Sequence, residues 1–522
     1  MSKSSKPFFR VFLKFVERLG NVLPHPVTLF AIFCVLVLCS SQICEWLDIS
    51  VLDPRPEGSK GRAADGYIRA IGLLSADGIR RIFLNLVHNF TSFAPLGTVL
   101  VAMLAIGVAE SSGLLSAFIR SMVLKAPDKL ITFAVVFAGI VSNLASELGY
   151  VVLIPLGGFI FLAKKRHPLA GMAAAFAGVS GGYSANLFIG TLDPLLAGIT
   201  EEAARLISAD YSVHAAVNWY FMMASTFVIA LIGTFVTEKI VEPNLGEYDP
   251  SDGEEGLEKQ AKLNQLSSTE KKGLWWALAT IILIAGVALL TIVPENGILR
   301  DPQTGGVLKS PFLKGIITWI FIFFLIPSIV FGLVSKSIKS DKDVIDGMSL
   351  SMSRLGVYIV LVFFAAQFIA FFKWSNLGAI FAVTGADFIK SLGFTGAGIF
   401  FPFILICGFI NLMLGSASAQ WAVTAPIFIP MLMLIGYSPE VIQAAYRIGD
   451  SSTNIITPMM SYFGLIYSFA LKFDKKLGIG TLVSTMLPYS ICFLVAWSIL
   501  FYLWVFVFGL PVGPGAPTYF QP

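Results

Sequence analysis

Four ionisable side chains stand inside long apolar stretches of this 522-residue chain: Glu147, Asp193, Arg447 and Asp450. A charge at the centre of a bilayer costs about 2.5–3.5 kcal/mol even on the mild insertion scale, so such groups mark substrate or ion paths. Asp193 precedes Pro194, and proline removes a backbone donor. Carbonyls freed at the resulting helix break can join the carboxylate around a cation, or the carboxylate can carry a proton. The plain alternative is an aspartate that only caps a broken backbone. Arg447 and Asp450 lie three apart on one helical face, the spacing of an internal ion pair. The other reading gives Arg447 to a substrate carboxylate or sulfonyl oxygen, which its planar fork suits. Asp450 then orients Arg447 or takes part in ion coupling.

Neutral oxygen ligands accompany these charges. Asn143, Asn186, Asn411 and Asn454, with Ser418 and Thr453, suit a cation or a polar substrate. Each taken singly is more simply glue between helices. As a symmetric set they point to substrate contacts at Asn143, Asn411 and Ser418, ion coupling at Asn186 and Asn454, and sodium near Asn143, Asn186 and Asn454. Trp421, beside Gln420, has the face to stack an aromatic substrate, though tryptophan also anchors membrane interfaces. His25, His88, His167 and His214 fall at loops or span edges, HExxH does not occur, and GxSxG occurs once, as GVSGG at 178–182, with none of these histidines beside it. An intramembrane enzyme is therefore not expected.

The elements that must hold these residues are membrane helices. The chain is 56% hydrophobic, 13% charged and has a mean hydropathy of +0.80. Soluble domains carry about a quarter charged residues, so a soluble fold is excluded. Cys34, Cys39, Cys44, Cys407 and Cys492 lie in or beside apolar segments, without a CxxC pair. Neither a disulfide framework nor a metal centre is indicated. The net charge of +4 resides in loops, which argues against nucleic acid.

Hydropathy predicts nine crossings, at 26–47, 84–109, 170–199, 217–238, 273–293, 311–334, 350–372, 441–470 and 478–508. A helix on the membrane surface is expected within 1–25. The regions 130–163 and 395–433 are too long for one span and carry polar centres, Ser142 to Gly149 and Asn411 to Trp421. They are expected as re-entrant hairpins, because irregular backbone survives at membrane depth only where protein or water satisfies it. On that count most of the 36 Lys and Arg fall on one side, in 1–25, 164–166, 239–272, 336–342 and 472–476. The positive-inside rule makes that side cytoplasmic, with the N-terminus inside and the tail 509–522 periplasmic.

The two hairpins begin a repeat. One precedes a span with Gly178, Ser180, Gly181, Gly182, Ser184, Asn186 and Asp193-Pro194; the other precedes Arg447, Gly449, Asp450 to Asn454 and Thr457-Pro458. The spans are expected to break near Asp193 and Asp450, with Pro194 and Pro458 as breakers. Five crossings separate the starts of the two units, at 84 and 350, so they face opposite ways. The first half covers 26–238, two scaffold spans fill 273–334, and the second repeat covers 350–508. Inverted repeats with broken helices place a transport site at the bilayer midplane.

The runs SNLASELGYVVLIPL, GGYSANLFIGTLDP, GSASAQWAVTAPIFIPM and YRIGDSSTNIITPMMSYFG resemble the AbgT family of p-aminobenzoyl-glutamate transporters. The resemblance covers most of the chain, least in 48–83 and 239–272. It implies a homodimer of protomers with nine spans and two hairpins, each with its own path. It also implies transport of p-aminobenzoyl-glutamate-like compounds, and export of sulfonamide antimetabolites in some members, with a proton or sodium as coupling ion and no cofactor. The positions matching the family's functional residues are Asp193, Ser418, Trp421, Arg447, Asp450 and Pro458. A sodium-coupled di- or tricarboxylate importer with paired hairpins is the nearest rival.

Overall fold

The structure is a computed structural model that describes residues 24–54, 62–145, 149–254, 266–307, 310–393 and 396–520. Glu147 and the surface helix expected within 1–25, apart from residues 24 and 25, lie outside the described residues. Helices dominate: α1 (Pro26–Trp46), α2 (Ala76–Thr91), α3 (Ala94–Ser111), α4 (Leu114–Leu124), α5 (Ile131–Ser142), α6 (Ile154–Ala163), α7 (Pro168–Phe176), α8 (Leu192–Ala204) and α9 (Trp219–Val236) build the first part. The second holds α10 (Ser268–Ile292), α11 (Ile316–Ser335), α12 (Asp341–Arg354), α13 (Gly356–Trp374), α14 (Leu377–Ser391), α15 (Phe400–Leu414), α16 (Ala417–Ile435), α17 (Pro439–Asn454), α18 (Phe463–Phe473) and α19 (Ile479–Tyr502). A short antiparallel ribbon, β1 (Ser50–Leu52) on β2 (Tyr67–Arg69), sits in the loop after α1 with Val51 opposite Ile68.

Both hairpins return to the side they came from. The start and end of the first meet where Lys164 Nζ binds Asp128. At the second, the ring of Phe400 meets Tyr437 at 4.8 Å. Neither α4 nor α14 was expected from hydropathy, because each is short: 11 and 15 residues. Among the described residues nine helical stretches are long and apolar enough to cross a membrane, but they are not the nine predicted. Both arms of the second hairpin qualify by length, whereas the spans 170–199 and 441–470 drop out because each is split in two.

The splits fall where backbone chemistry dictates. The first span gives way after the widened turn Ala177–Gly181 and resumes at Leu192. Pro194 therefore stands in the first turn of α8, where its missing N–H costs nothing. The second break does not fall at Asp450. Helix α17 runs through it to Asn454, with Ser452 and Thr453 hydroxyls donating to the carbonyls of Ile448 and Gly449 four residues back. It stops ahead of Thr457-Pro458, because a residue before proline disfavours helical backbone.

The two units pack alike. In each, the first hairpin arm meets the following helix glycine on glycine. A Cβ on Gly178 would lie 2.3 Å from Val136 O, and one on Gly449 would lie 2.4 Å from Ile404 O. Small residues let helix backbones approach closely where lipid supplies no hydrophobic drive. Pro168 and Pro439, each at the first position of its helix, and Gly178 and Gly449, each ten residues on, set the register between repeats.

Two faces result. The first gathers residues 164–166, 238–254 and 472–476, where Arg166 binds Glu242 and the carbonyl of Lys472 accepts from Glu254 N at 2.8 Å. Arg120 bound to Glu270, and Ser337 donating to Ser112 O, bring residues 336–340 to the α4–α10 corner. We call this the basic face. The far face carries the β ribbon, residues 205–218 and the chain after α19, with Asn376 donating to Arg69 O and Phe221 N to Val512 O.

Replacing Gly449 by leucine forces α15 and α17 apart. Overpacking of this kind costs about 1–3 kcal/mol, so a lowered melting temperature of the full chain in detergent is expected, and the same for Gly178→Leu. An unchanged melt for both variants would remove the glycine contacts from the account of the fold.

Candidate transport site

The hairpin tips and the span breaks converge at one place. Asn143 closes α5 and its Nδ2 reaches toward Gly182 O in the first break, at 3.5 Å. Asn411, near the end of α15, donates to Asp450 O at 2.8 Å, Thr453 Oγ1 at 2.9 Å and Asn454 Oδ1 at 2.8 Å. The second tip turns at Gly415 with φ +58°, and a Cβ there would lie 2.8 Å from Met459 O in the second break. Glycine meets both demands, left-handed backbone and close approach. The first break also touches the last turn of α17, Ser184 N donating to Ser451 Oγ at 3.1 Å.

The expected pairing of Arg447 with Asp450 is not what forms. Arg447 Nη2 binds Asp193 Oδ1 at 2.6 Å, joining the two broken spans across 254 positions of sequence. Residues three apart on a helix share a face, but the guanidinium extends away from its own backbone, and the start of α8 lies in its reach. Asp193 Oδ2 accepts from Gly190 N at 2.7 Å. The capping role and the charged role of Asp193 thus coexist. Breaking such a buried pair by removing one partner costs about 3–5 kcal/mol, because a charge is left uncompensated.

Several buried polar atoms here have no hydrogen-bond partner among the described residues: both Asp450 carboxylate oxygens, Arg447 Nε, Asn143 Oδ1, Asn186 Oδ1, Asn411 Oδ1, Gln420 Oε1 and Ser184 Oγ. Each such group costs about 1–3 kcal/mol. A cluster of them, mostly oxygens, is the donor set of a hard cation or a hydrogen-bonding substrate. Asn143, Ser184, Asn186, Asp193 and Arg447 line one cavity of ≈ 10 Å³, about the space of a single water. Sites for drug-sized ligands hold about 300 Å³ or more, so this conformation is closed around the site.

The structure splits the expected sodium trio. Asn143 and Asn186 stand together at the first break, whereas Asn454 stands at the second with its oxygen already accepting from Asn411. The two asparagine pairs follow the repeat, one pair per unit, since each tip packs on the break of its own repeat. Ser418 is half-buried near Ser416 at the second tip, 3.4 Å between hydroxyls. Pro458 is in the second break and Pro194 opens α8.

Trp421 differs most from expectation. It is 0% exposed, its ring stacks on Tyr446 at 4.2 Å, and its Nε1 donates to Thr200 Oγ1 at 2.9 Å. The aromatic face expected for substrate is covered by a residue of α17. Sequence reasoning missed three partners: Thr200 on α8, Tyr446, and Gln443, whose Oε1 accepts from Thr200 at 2.6 Å. The spacing of Gln443 and Arg447 on one helix face was the available signal for Gln443.

Comparisons with known proteins fit this geometry. The profile described as the AbgT putative transporter family matches residues 11–520. The p-aminobenzoyl-glutamate transport protein of Escherichia coli (strain K12) is 37% identical over 502 residues, covering 96% of this chain and 95% of the relative. The solved structure of Neisseria gonorrhoeae MtrF, described among a class of antimetabolite efflux pumps, is 60% identical with a TM-score of 0.91, covering 97% of this chain and 100% of that one. The Alcanivorax borkumensis YdaH transporter, described as having an unusual topology, is 43% identical with a TM-score of 0.87, covering 94% and 100%. This polytopic, predominantly helical chain with paired hairpins, two broken spans and relatives named as transporters, not enzymes, belongs to the AbgT transporter family.

Proposed function

We propose that this chain is an ion-coupled secondary transporter working by alternating access, which exports sulfonamide-like antimetabolites, moves p-aminobenzoyl-glutamate, or both. The ion pair of Arg447 with Asp193 carries the reading, because it ties the two inverted broken spans together at the closed site. An anionic or sulfonyl head competes with Asp193 for the guanidinium fork. Asp193, once released, is free to take the coupling ion or a proton, alongside the unpartnered Asp450 carboxylate. Substrate and ion thus exchange places on one cation, which links their movements.

The stack of Trp421 on Tyr446 supplies the second half of recognition. Trp421 rides on the hairpin arm α16 and Tyr446 on α17, so relative motion of the two opens a slot between aromatic faces. An aminobenzoyl or sulfanilyl ring suits that slot. Asn143, Asn411 and Ser418 offer hydrogen bonds at the tips, and Asn186 with Asn143 offers oxygens to sodium. We place the protein in the bacterial inner membrane, N-terminus cytoplasmic and C-terminus periplasmic, on the strength of the basic loops gathered on one face, and as a homodimer on the strength of the family resemblance alone.

Three measurements test this. In proteoliposomes, Arg447→Lys keeps the charge but loses the fork, and a fall of about tenfold or more in kcat/KM for sulfonamide or aminobenzoyl-glutamate flux is expected, about 1.4 kcal/mol. Trp421→Phe is expected to raise KM; flux unchanged in both variants would refute the site. Imposing sodium and proton gradients separately is expected to drive flux with one of them, and flux that ignores both would mean a passive channel. Cysteines at Lys164 and Lys339 are expected to react with an impermeant thiol reagent from the same side. Labelling from opposite sides would dismantle the hairpin topology.

A further inference from the structure

Helix α17 carries more than the Arg447–Asp193 pair. Glu440, Gln443, Arg447, Asp450 and Asn454 recur at spacings of three and four, so one face of the helix is a continuous polar stripe. All five are buried, from 0% to 7% exposed. The repeat shows that the fold does not require this. In the register set by Pro168 with Pro439, the positions of Glu440, Gln443, Arg447 and Asp450 are filled in the first repeat by Leu169, Met172, Phe176 and Val179. The same helix packs in the same way with an apolar face.

Glu440 stands at the far-face end of the stripe and is 3% exposed. No Lys, Arg or His nitrogen comes within the 4.0 Å of an ion pair with it among the described residues. Its carboxylate oxygens accept from the Tyr211 hydroxyl at 3.0 and 2.9 Å, with its own backbone N–H and the Ser438 side chain as the other groups beside it, all neutral. The charged groups nearby are committed elsewhere. Arg205 binds Glu201 and Glu202 and donates to Tyr211 O, and His214 is held to Pro514 O. Burial lowers the His214 imidazole below its ordinary value, so it is neutral at pH 7. Tyr437 and Tyr519 pack ring to ring at the same mouth, 5.8 Å between centroids.

Inward, a chain of hydrogen bonds with every donor pointing the same way ties this mouth to the site. Trp421 Nε1 donates to Thr200, Thr200 Oγ1 to Gln443 Oε1, Gln443 Nε2 to Asn218 Oδ1, and Asn218 Nδ2 to Glu440 O, at 2.9, 2.6, 2.7 and 2.8 Å. Outward, a strap of residues 508–520 closes the mouth. Ser438 Oγ donates to Pro517 O and Phe520 N to Gly436 O, both just ahead of the start of α17.

We propose that Glu440 is a further proton-binding residue of the transport path, taking up and releasing one proton at the far-face end of the α17 stripe beneath the C-terminal strap. The step is a simple one. The ionised carboxylate takes a proton from hydronium on that face, leaving water, and becomes neutral, and the new O–H donates to Tyr211, whose hydroxyl turns to accept. A buried carboxylate whose hydrogen-bonding neighbours are all neutral and which has no ion-pair partner is where such neutralisation relieves most desolvation cost. Because the stripe is one helix, the charge state of Glu440 bears on the seating of α17, and the chain through Asn218, Gln443 and Thr200 ties the backbone carbonyl of Glu440 on that helix to Trp421. The role in transport rests on the function proposed above; the protonation itself does not.

The test uses the full chain in lipid bilayers and two readouts. In infrared difference spectra across a pH titration, the wild type is expected to show a carboxylic-acid carbonyl band that is absent in Glu440→Gln. Tyr211→Phe removes one donor to the ionised form and is expected to shift the midpoint of that band up by roughly one pH unit or more. In proteoliposomes, sulfonamide or aminobenzoyl-glutamate flux against far-face pH is expected to lose the corresponding step in Glu440→Gln and in Glu440→Leu, the residue type at the mate position. A band that survives in Glu440→Gln, an unshifted midpoint in Tyr211→Phe, or a pH step retained in Glu440→Leu would overturn the assignment. Wild-type protein that moves neither compound but shows the titrating band would refute the substrate reading and leave the protonation standing.

Discussion

Hydrocarbon offers nothing to an unpaired N–H or carbonyl, and that constraint organises this molecule. A chain that turns back or breaks within the membrane must have another part of itself supply the missing partners. Here the turning points and the breaks supply each other. Asn411 at the second tip serves the carbonyl of Asp450 and the side chains of Thr453 and Asn454, and Asn143 reaches Gly182 at the first. Neither hairpin is tenable without the break beside it, and the repeat supplies each pair in the same register.

Meeting that demand incompletely is what creates a site. Backbone groups at the centre are largely served by neighbours, while side-chain oxygens of Asn143, Asn186, Ser184 and Asp450 are left without partners. The Arg447–Asp193 pair closes this polar centre between the two units, and a buried pair of that kind is held by mutual compensation rather than by a large net gain. A ligand that replaces either member therefore meets a small net barrier. Fold and function meet in the same few atoms: what holds the spans together is also what a substrate must take apart.

The inverted repeat is symmetric in backbone and asymmetric in chemistry. Gly178 and Gly449 make the same close contact, and Pro168 and Pro439 start the same helix. Yet the polar stripe exists on one of the two helices, with leucine, methionine, phenylalanine and valine on its mate. One repeat supplies most of the charge and the other receives it, through Asp193 from the start of α8.

Much of this was legible in the chain itself. Long apolar runs, polar residues interrupting two of them, and Lys and Arg gathered in the segments of one side determine a membrane protein with two re-entrant hairpins, because hydrocarbon burial and unpaired polar groups act through local composition. The same holds for which residues carry chemistry: Asp193, Arg447 and Asp450 stand out as charges where lipid forbids them. Tertiary structure alone decided who partners whom. Spacing of three pointed to Arg447 with Asp450, but a flexible five-donor side chain answers to what lies at its tip, and that is Asp193 from 254 positions away. Trp421 covered by Tyr446, the two asparagine pairs in place of one trio, and Glu440 bound to Tyr211 were out of reach for the same reason. Contacts between distant elements depend on how whole helices pack, and no local pattern of residue types encodes that distance.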